Sequence, residues 1–354
     1  MGKAVVIGLD IGTTQVRAVE VQLGGGGPVG KQRPTLVRYG DVPLPLGAVR
    51  DGEVEDAGAV SSALRQLWSD VKFSTRDVVI GVGNQRVVVR ELDLPWMPLP
   101  HLRASLPFQV QELLPMSADE AVLDYYPTGE VEGPSGRMVK GMLVAATRDT
   151  VNANIMAVDA AGLRPRMVDL NPFALLRAIT RGELSDQTVA LVEIGARVTH
   201  IVIAAHGVPR FVRMLPSGGH HVTEAVAGAL GITAADAENV KRLTGIGYAV
   251  EPGNAAAAES IDSVVRPLVE AVRNTFVYYS GNNPGARIDL AVLTGGGAHL
   301  PGLDRYLATA TRLPVSFGDP LSAVRYAKTA DADAVAPLSS RLAVPLGLAY
   351  GVAA

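Results

Sequence analysis

The chain has 354 residues, of which 48% are hydrophobic and 5% aromatic, and its formal net charge is −3. This length allows two domains, and the scarcity of aromatic residues predicts an aliphatic core. The charge argues against a general nucleic-acid binder, and the lack of cysteine excludes disulfides and thiolate metal sites. Because Asp10, Glu193 and Arg197 interrupt the apolar runs, we expect no signal peptide and no transmembrane segment. The lack of cysteine fits a cytoplasmic location.

The N-terminal region contains a strand–turn–strand pattern with polar chemistry at its turn. An apolar run ends at Asp10, the turn follows at Gly12, Thr13, Thr14 and Gln15, and an alternating strand comes next. Glycine lets a bound group approach the backbone, the threonines offer N–H and hydroxyl donors to a phosphate, and a carboxylate binds Mg²⁺ through water. An ordinary hairpin that happens to contain Asp and Gly is the alternative interpretation.

Residues 189–203 repeat this pattern. A buried strand ends at Glu193, Gly195 stands in the turn, and a second apolar strand follows. Asp10 then corresponds to Glu193, and Gly12 corresponds to Gly195. A long-period repeat of this kind predicts a duplicated domain whose two turns face each other across a cleft and clamp the phosphates of one nucleotide. The alternative is a pair of hairpins that are alike by coincidence.

A glycine-rich turn follows a further apolar strand. Residues 290–294 run into Gly295, Gly296, Gly297 and Ala298. Three positions without side chains allow a flat ring or a phosphate to lie against the backbone, so this turn fits the same site. A plain strand-to-helix turn is the alternative.

The rest of the chain alternates between predicted helices and strands. Hydrophobic periodicity predicts helices at 57–71, 102–114, 149–161, 223–230, 234–243 and 259–280, and a short closing helix or packed tail at 344–352. Strands are predicted at 78–82, 86–94, 121–126 and 140–147, and loops at 24–28 and 129–136. The strand–helix–strand–strand order between the first hairpin and its repeat predicts a small α+β module.

These motifs resemble the nucleotide motifs of the actin, Hsp70 and sugar-kinase superfamily. The resemblance is closest to the PilM family of type IV pilus assembly proteins, which is itself similar to FtsA, and it covers nearly the whole chain. Six further segments are similar to that family and occur in the same order, although each is weak alone: 94–98 (LPWMP), 111–115 (QELLP), 123–125 (LDY), 161–165 (AGLRP), 237–241 (AENVK) and 345–349 (PLGLA).

The resemblance implies an α/β fold of the actin-like, ribonuclease H-like duplicated type, with two domains and a small inserted α+β subdomain. Residues 1–77 and 152–186 would form the first half, residues 78–151 the inserted subdomain, and residues 187–354 the second half. The C-terminal residues would return to the first half.

The resemblance also implies a site for ATP and Mg²⁺ in the central cleft. Asp10 and Glu193 would be the catalytic and metal-binding carboxylates. The residues that would bind the nucleotide are Asp10, Gly12, Thr13, Thr14 and Gln15 in the first phosphate loop, Gly195, Ala196 and Thr199 in the second, Gly295, Gly296, Gly297 and Ala298 behind the adenosine, and Glu238 and Lys241 at the ribose or base. A surface salt bridge is the alternative interpretation of the Glu238–Lys241 pair.

One residue departs from the family pattern. The second phosphate loop of the family more usually begins with Asp, and here it begins with Glu193. The extra methylene shifts the carboxylate by about one bond length, which is enough to misplace a metal-bound water. We therefore expect nucleotide binding with at most slow ATP hydrolysis, and the sequence leaves open whether the protein is an enzyme.

The resemblance implies a scaffold on the inner face of the cytoplasmic membrane, where it would hold the cytoplasmic tail of a PilN-like membrane protein and contact other pilus assembly proteins. The alternatives are an enzyme of the superfamily, either an ATPase or a small-molecule kinase, an FtsA-like cell-division protein and an Hsp70-like chaperone. Against a kinase, the sequence places no carboxylate or histidine as an obvious catalytic base.

The family binds this tail in a groove between the inserted module and the first half. Here the walls would be the strand 87–94, the proline-rich turn 95–100 and the helix 102–114. Trp96, Met97 and Phe108 would contact the tail if they are exposed, since exposed apolar patches mark interaction sites. The alternative for Phe108 is a place in the core of the module.

Overall fold

The computed structural model describes residues 4–24, 33–134, 136–247 and 252–352, so residues 25–28 of the predicted glycine-rich loop lie outside the described part. Its strands are β1 (Ala4–Ile11), β2 (Gln15–Leu23), β3 (Thr35–Pro43), β4 (Val49–Arg50), β5 (Glu53–Val54), β6 (Asp77–Val82), β7 (Val88–Pro95), β8 (Ala121–Gly133), β9 (Gly136–Thr147), β10 (Arg164–Leu170), β11 (Thr188–Ile194), β12 (Thr199–Ala205), β13 (Val208–Leu215), β14 (Leu290–Thr294), β15 (Val315–Phe317) and β16 (Arg325–Tyr326). Its α-helices are α1 (Ala57–Val71), α2 (Leu99–Gln109), α3 (Arg148–Ala160), α4 (Asn171–Ile179), α5 (Gly219–Leu230), α6 (Ala234–Thr244), α7 (Ala255–Asn282), α8 (Leu303–Thr311), α9 (Ala332–Val335) and α10 (Ala343–Gly351).

The two large sheets have the same strand order. The first sheet runs β3-β2-β1-β6-β10, with β16 added beside β3, and the second runs β13-β12-β11-β14-β15. In each sheet the hairpin is antiparallel and the next strand joins it in parallel. We call these sheets, with their helices, the first and second halves. The predicted duplicated α/β fold is confirmed.

The central strand of each half is apolar because it is covered on both faces. On one face of the first sheet, Ile7 of β1 packs in a cluster with α1, and on the other face Val6 packs in a cluster with α10. Leu191 of β11 is likewise fully buried. Asp10 and Glu193 are the next-to-last residues of β1 and β11, at the strand ends where α/β sheets bind ligands.

A separate sheet of three strands, in the order β7-β9-β8, forms the inserted module. Helix α2 covers one face, where Leu102 and Leu106 share a buried cluster with Tyr125. The other face packs against α4 of the first half, where the rings of Tyr126 and Phe173 lie 5.0 Å apart. Because neighbouring residues of a strand point to opposite faces, α2 and α4 lie on opposite sides of this sheet.

The predicted range of the module, 78–151, is wrong at its first strand. Strand β6 is hydrogen-bonded between β1 and β10 in the first half, so the separate sheet begins at Val88. A short buried apolar run has the same pattern in either sheet, which explains the error. The other predicted domain boundaries stay predictions.

Two local predictions in the module are also wrong. The predicted loop at 129–136 is instead the paired end of the β8–β9 hairpin, apart from residue 135, which lies outside the described part. The predicted helix 102–114 begins at Leu99 and ends at Gln109, after which residues 111–113 form a 3₁₀ turn. Pro107 is accommodated inside the helix.

The closing helix α10 lies against both β1 and α4, and two glycines allow this close approach. A Cβ on Gly8 would lie 1.9 Å from the carbonyl oxygen of Pro345. A Cβ on Gly347 would lie 1.8 Å from the carbonyl oxygen of Ala174. Since backbone atoms cannot rotate aside as a side chain can, both positions require glycine, and α10 packs directly on the first half.

We expect Gly347→Ala to destabilise the protein, because the new methyl group would overlap a backbone carbonyl. Overpacking of this kind costs roughly 1–3 kcal/mol. The matched control is Gly228→Ala in α5, where nothing lies within 4 Å of the Cβ position. Alanine there should raise the free energy of unfolding by up to about 1 kcal/mol. Urea unfolding of both variants measures the difference, and equal stabilities would contradict this packing of α10.

Candidate functional site

The two predicted phosphate loops close in the same way. The N–H of Gly12 donates to the carbonyl of Gln15 at 3.1 Å, and the N–H of Gly195 donates to the carbonyl of Val198 at 3.0 Å. A Cβ would lie 3.0 Å from this carbonyl oxygen in the first turn and 2.8 Å in the second. Both turns are therefore too tight for a side chain at the glycine, and the repeat seen in the sequence is a repeat of backbone geometry.

Each carboxylate at these turns is paired with a cation on the neighbouring strand. Asp10 is in register with Arg17 across the β1–β2 hairpin, and the guanidinium donates to its carboxylate at 2.9 Å. Glu193 is in register with His200 across the β11–β12 hairpin, and Nδ1 of His200 lies 2.7 Å from its carboxylate. In both halves the cation follows the carboxylate by seven positions, a signal that the sequence comparison of the two hairpins did not use.

His200 also connects the two halves. Its Nε2 lies 2.6 Å from the carbonyl oxygen of Gly83, directly after β6 of the first half. Because a carboxylate and a carbonyl are both acceptors, the ring donates from both nitrogens as an imidazolium. Burial alone would lower the pKa of His200, but the hydrogen bond and charge of Glu193, with the Gly83 carbonyl, outweigh burial and raise the pKa.

The two carboxylates of the cleft influence each other. Burial raises the pKa of Asp10, the charge of Arg17 lowers it, and the charge of Glu193 raises it again. On balance the pKa of Asp10 lies above its ordinary value, because burial and the charge of Glu193 outweigh the charge of Arg17. Each carboxylate is already engaged by a basic side chain.

A cavity of about 450 Å³ lies between the two turns. Thirteen of the predicted site residues line it: Asp10, Gly12, Thr13, Thr14, Gln15, Glu193, Gly195, Ala196, Glu238, Lys241, Gly295, Gly296 and Gly297. Thr199 and Ala298 do not line it. Thr199 is fully buried and donates to the carbonyl of Ser217 at 2.7 Å, and Ala298 is fully buried in the core of the second half.

The Glu238–Lys241 pair lies in the wall of this cavity. The two side chains form an ion pair of 2.5 Å, and Lys241 is only 9% exposed. The ammonium also donates to Thr223 Oγ1 at 2.9 Å and to the carbonyl of Gly219 at 3.1 Å. The salt bridge does form, but it is built into the site rather than placed on an open surface.

The cavity suits an anionic ligand. Its lining includes five permanently charged cations, Arg17, Arg197, Lys241, Arg242 and Arg341, against three carboxylates, Asp10, Glu193 and Glu238. The four arginines, His200 and Asn171 are not predicted from the motifs, because it is the fold that brings them to the cleft. Phosphates are among the anions that arginine and lysine bind well.

The glycine-rich turn after β14 lies beside Glu193. Gly295 has a φ of 85°, and a Cβ there would lie 2.7 Å from the Glu193 carboxylate. Its N–H donates to the carbonyl of Ser340 at 3.1 Å. Beyond this turn a second cavity of about 220 Å³ opens, which shares Gly296 and Gly297 with the first. Its walls combine apolar side chains such as Val265 and Leu268 with charged ones such as Arg242.

Of the three residues predicted to contact a partner, two are exposed on the module and one packs against its core. Phe108 on α2 is 86% exposed, so it is not part of the module core, and Trp96 is 45% exposed under the guanidinium of Arg137. Met97 instead packs against the core of the module. Since α2 lies on the sheet face opposite α4, Phe108 does not line a groove between the module and the first half.

Two sheets with one strand order, each bringing a carboxylate and a glycine turn to a shared cleft, define an actin-like protein. The chain matches the family described as type IV pilus assembly protein PilM over residues 8–351, and it belongs to that family. A solved PilM-PilN type IV pilus biogenesis complex contains a similar chain, with a TM-score of 0.82, 26% identity and coverage of 98% of both chains. The family predicted from the motifs is confirmed.

More distant proteins share the fold. MreB5 of Spiroplasma citri bound to AMPPNP has a TM-score of 0.51 and 15% identity, covering 90% of this chain and 92% of that one. The cell division protein FtsA of Bacillus subtilis is 21% identical over 265 residues, which are 68% of this chain and 58% of FtsA. The chain thus spans less than two thirds of the length of that relative. Within the described ranges, no helix has the length and apolarity needed to span a membrane.

We expect His200→Ala to destabilise the protein, because Glu193 and the Gly83 carbonyl would both lose a buried partner. Removing one member of a buried ion pair costs roughly 3–5 kcal/mol. His101→Ala is the matched control, since His101 is exposed on α2 and should tolerate the change. The measurement is the free energy of unfolding in urea at pH 7. If both alanine variants unfolded like the wild type, His200 would not hold the halves together.

Proposed function

We propose that this protein is a nucleotide-binding scaffold of type IV pilus assembly, which binds Mg²⁺–ATP in the central cavity and the cytoplasmic tail of a PilN-like membrane protein. The observation that carries the nucleotide proposal is the cavity between two matching turns, with five cations against three carboxylates. Its volume of about 450 Å³ falls within the range of small-molecule sites.

The residues fit a bound nucleotide with its metal. The backbone N–H groups and hydroxyls of Thr13 and Thr14, with Arg17, would hold the phosphates. Asp10 and Glu193 would attract Mg²⁺ through water. Among the described residues, no cluster of three or more histidines and carboxylates could hold a metal ion. Mg²⁺ would therefore arrive with the phosphates, as is usual for this ion.

We propose that ATP hydrolysis is slow, because neither carboxylate is available as a base. Asp10 is bound by Arg17, and Glu193 is bound by His200. A general base must hydrogen-bond to the attacking water, and here each carboxylate already accepts a hydrogen bond from a basic side chain. In this proposal Glu193 has a structural and electrostatic role. The protein would act as a scaffold whose conformation depends on the bound nucleotide.

We further propose that a PilN-like tail binds the inserted module and thereby places the protein at the cytoplasmic face of the membrane. The similar chain in the PilM-PilN complex supports this partner. Strand β8 is one of the two outer strands of the module sheet, so its free edge offers main-chain groups to an extended peptide. The exposed Phe108 and Trp96 offer apolar contacts nearby on the module.

We expect Asp10→Asn to remove most of the Mg²⁺ dependence of ATP binding, since the charge that attracts the hydrated ion is lost. The ratio of the dissociation constants in EDTA and in Mg²⁺ should fall about ten-fold, which corresponds to about 1.4 kcal/mol. Isothermal titration measures both constants. Asp262→Asn, on an exposed pair with Arg266 of α7, should behave like the wild type. An unchanged ratio in Asp10→Asn would exclude Asp10 from the metal site.

We expect Phe108→Asp to weaken binding of a synthetic PilN tail peptide by about ten-fold or more, because a charge would replace an apolar contact. Leu243→Asp is the control, since Leu243 on α6 is equally exposed at 87% but lies in the second half. Peptide affinity, melting temperature and ATP affinity should be measured on both variants. If the peptide bound Phe108→Asp and the wild type equally well, the tail would have to use another surface of the module.

A further inference from the structure

Arg197 stands at the tip of the second phosphate loop, where the first loop has Thr14. Its side chain lines the cavity and is 22% exposed. The loop backbone around it is fixed, because N–H groups at the start of α5 donate to Gly195 O at 2.9 Å and to Ala196 O at 2.7 Å. The position of the arginine backbone is therefore set, while its long side chain can change partners.

The guanidinium of Arg197 now rests on helix α5. It forms an ion pair with Glu224, whose side chain is 46% exposed, and lies 3.3 Å from Nε2 of His221. A pair this exposed contributes little, since solvent competes with it. In the state described, Arg197 is held by a partner that it can leave at small cost.

His221 does not add a strong hydrogen bond to Arg197. Its Nδ1 already accepts the N–H of Gly218 at 3.2 Å. A neutral imidazole has one acceptor nitrogen, so Nε2 then carries a proton and faces the donor groups of Arg197. The contact between the two side chains is thus not a second strong hydrogen bond, and Glu224 is the main partner of Arg197.

The surroundings of Arg197 favour an anion. Burial lowers the pKa of the neighbouring His220, and the charges of Arg197 and Lys241 lower it further against the opposing charge of Glu224. Two cations, Arg197 and Lys241, line the cavity beside this histidine. An incoming phosphate would relieve the repulsion and gain the planar, two-pronged donor geometry of a guanidinium.

The layout of the cavities indicates which phosphate Arg197 would meet. Arg242 and Arg341 line both the first and the second cavity, whereas Arg17 and Arg197 line the first but not the second. If the base lies toward the second cavity, the phosphate chain runs toward the two turns and ends between them. Arg17 is already held there by the buried Asp10, so Arg197 is the more weakly paired guanidinium at that end.

We propose that Arg197 leaves Glu224 and binds the terminal phosphate of a nucleoside triphosphate, so that the site prefers a triphosphate to a diphosphate. This inference rests on the proposed nucleotide binding and adds the residue that distinguishes the two nucleotides. Glu224 then acts as the partner of Arg197 in the diphosphate and nucleotide-free states.

The test is isothermal titration of AMPPNP and ADP, both with Mg²⁺, into the wild type and three variants. The wild type should bind AMPPNP about ten-fold more tightly than ADP, and Arg197→Ala should lose this preference with ADP affinity nearly unchanged. Arg197→Lys, which keeps the charge but not the fork geometry, should lie between them. Arg266→Ala, an exposed arginine of α7, is the control and should change neither affinity.

The outcomes separate this inference from the proposed function. If Arg197→Ala and Arg197→Lys kept the wild-type preference, or lost AMPPNP and ADP affinity equally, the inference would be overturned while nucleotide binding stood. If the folded wild type bound neither nucleotide, both would be overturned. A Glu224→Gln variant gives an independent check, because releasing Arg197 should tighten AMPPNP binding and leave ADP binding unchanged.

Discussion

The interaction on which the site depends is the double hydrogen bond of the His200 imidazolium. One nitrogen binds Glu193 in the second half, and the other binds the Gly83 carbonyl in the first half, at 2.7 and 2.6 Å. The ring is nearly fully buried, so water does not compete for either bond. The cavity lies where the halves meet, so this contact contributes to its shape. A ligand that displaces Glu193 would also disturb the hydrogen bond between His200 and Gly83.

The duplication explains why a histidine is found there. Each half places a basic residue seven positions after its carboxylate, directly across the hairpin. In the first half this residue is Arg17, whose contact with Asp10 stays within one hairpin. In the second half it is His200, which has a second donor nitrogen and reaches across the cleft. The same arrangement thus gives an ion pair within one hairpin in the first half and a contact between the halves in the second.

The sequence predicts the parts of the site whose chemistry is local to one turn. It does not predict the parts that depend on how distant segments pack together. The two phosphate-loop turns are predicted because a glycine near a carboxylate is visible in the sequence, and the Gly295–Gly297 turn because three glycines follow an apolar strand. All three turns line the cavity. The family resemblance also implies Thr199 and Ala298 as site residues, but both are buried outside the cavity. Strand β6 was assigned to the wrong sheet because an apolar run carries no information about its neighbours.

The connections of the inserted module show how the cavity and the module are joined. The chain enters the module just after Gly83, where the fully buried Asn84 donates to Glu53 at 3.1 Å and to Thr150 at 3.4 Å. The chain leaves the module at Thr147, whose hydroxyl bonds to the same Thr150. Both chain segments that connect the module to the first half therefore bond to one polar cluster around Asn84 and Thr150. This cluster follows directly after Gly83, whose carbonyl contacts His200. Such a cluster has few alternative arrangements, since a buried polar group without a partner is costly. A shift of the module against the first half would therefore disturb the edge of the cavity, and under the proposed function this would couple the nucleotide site to the partner site.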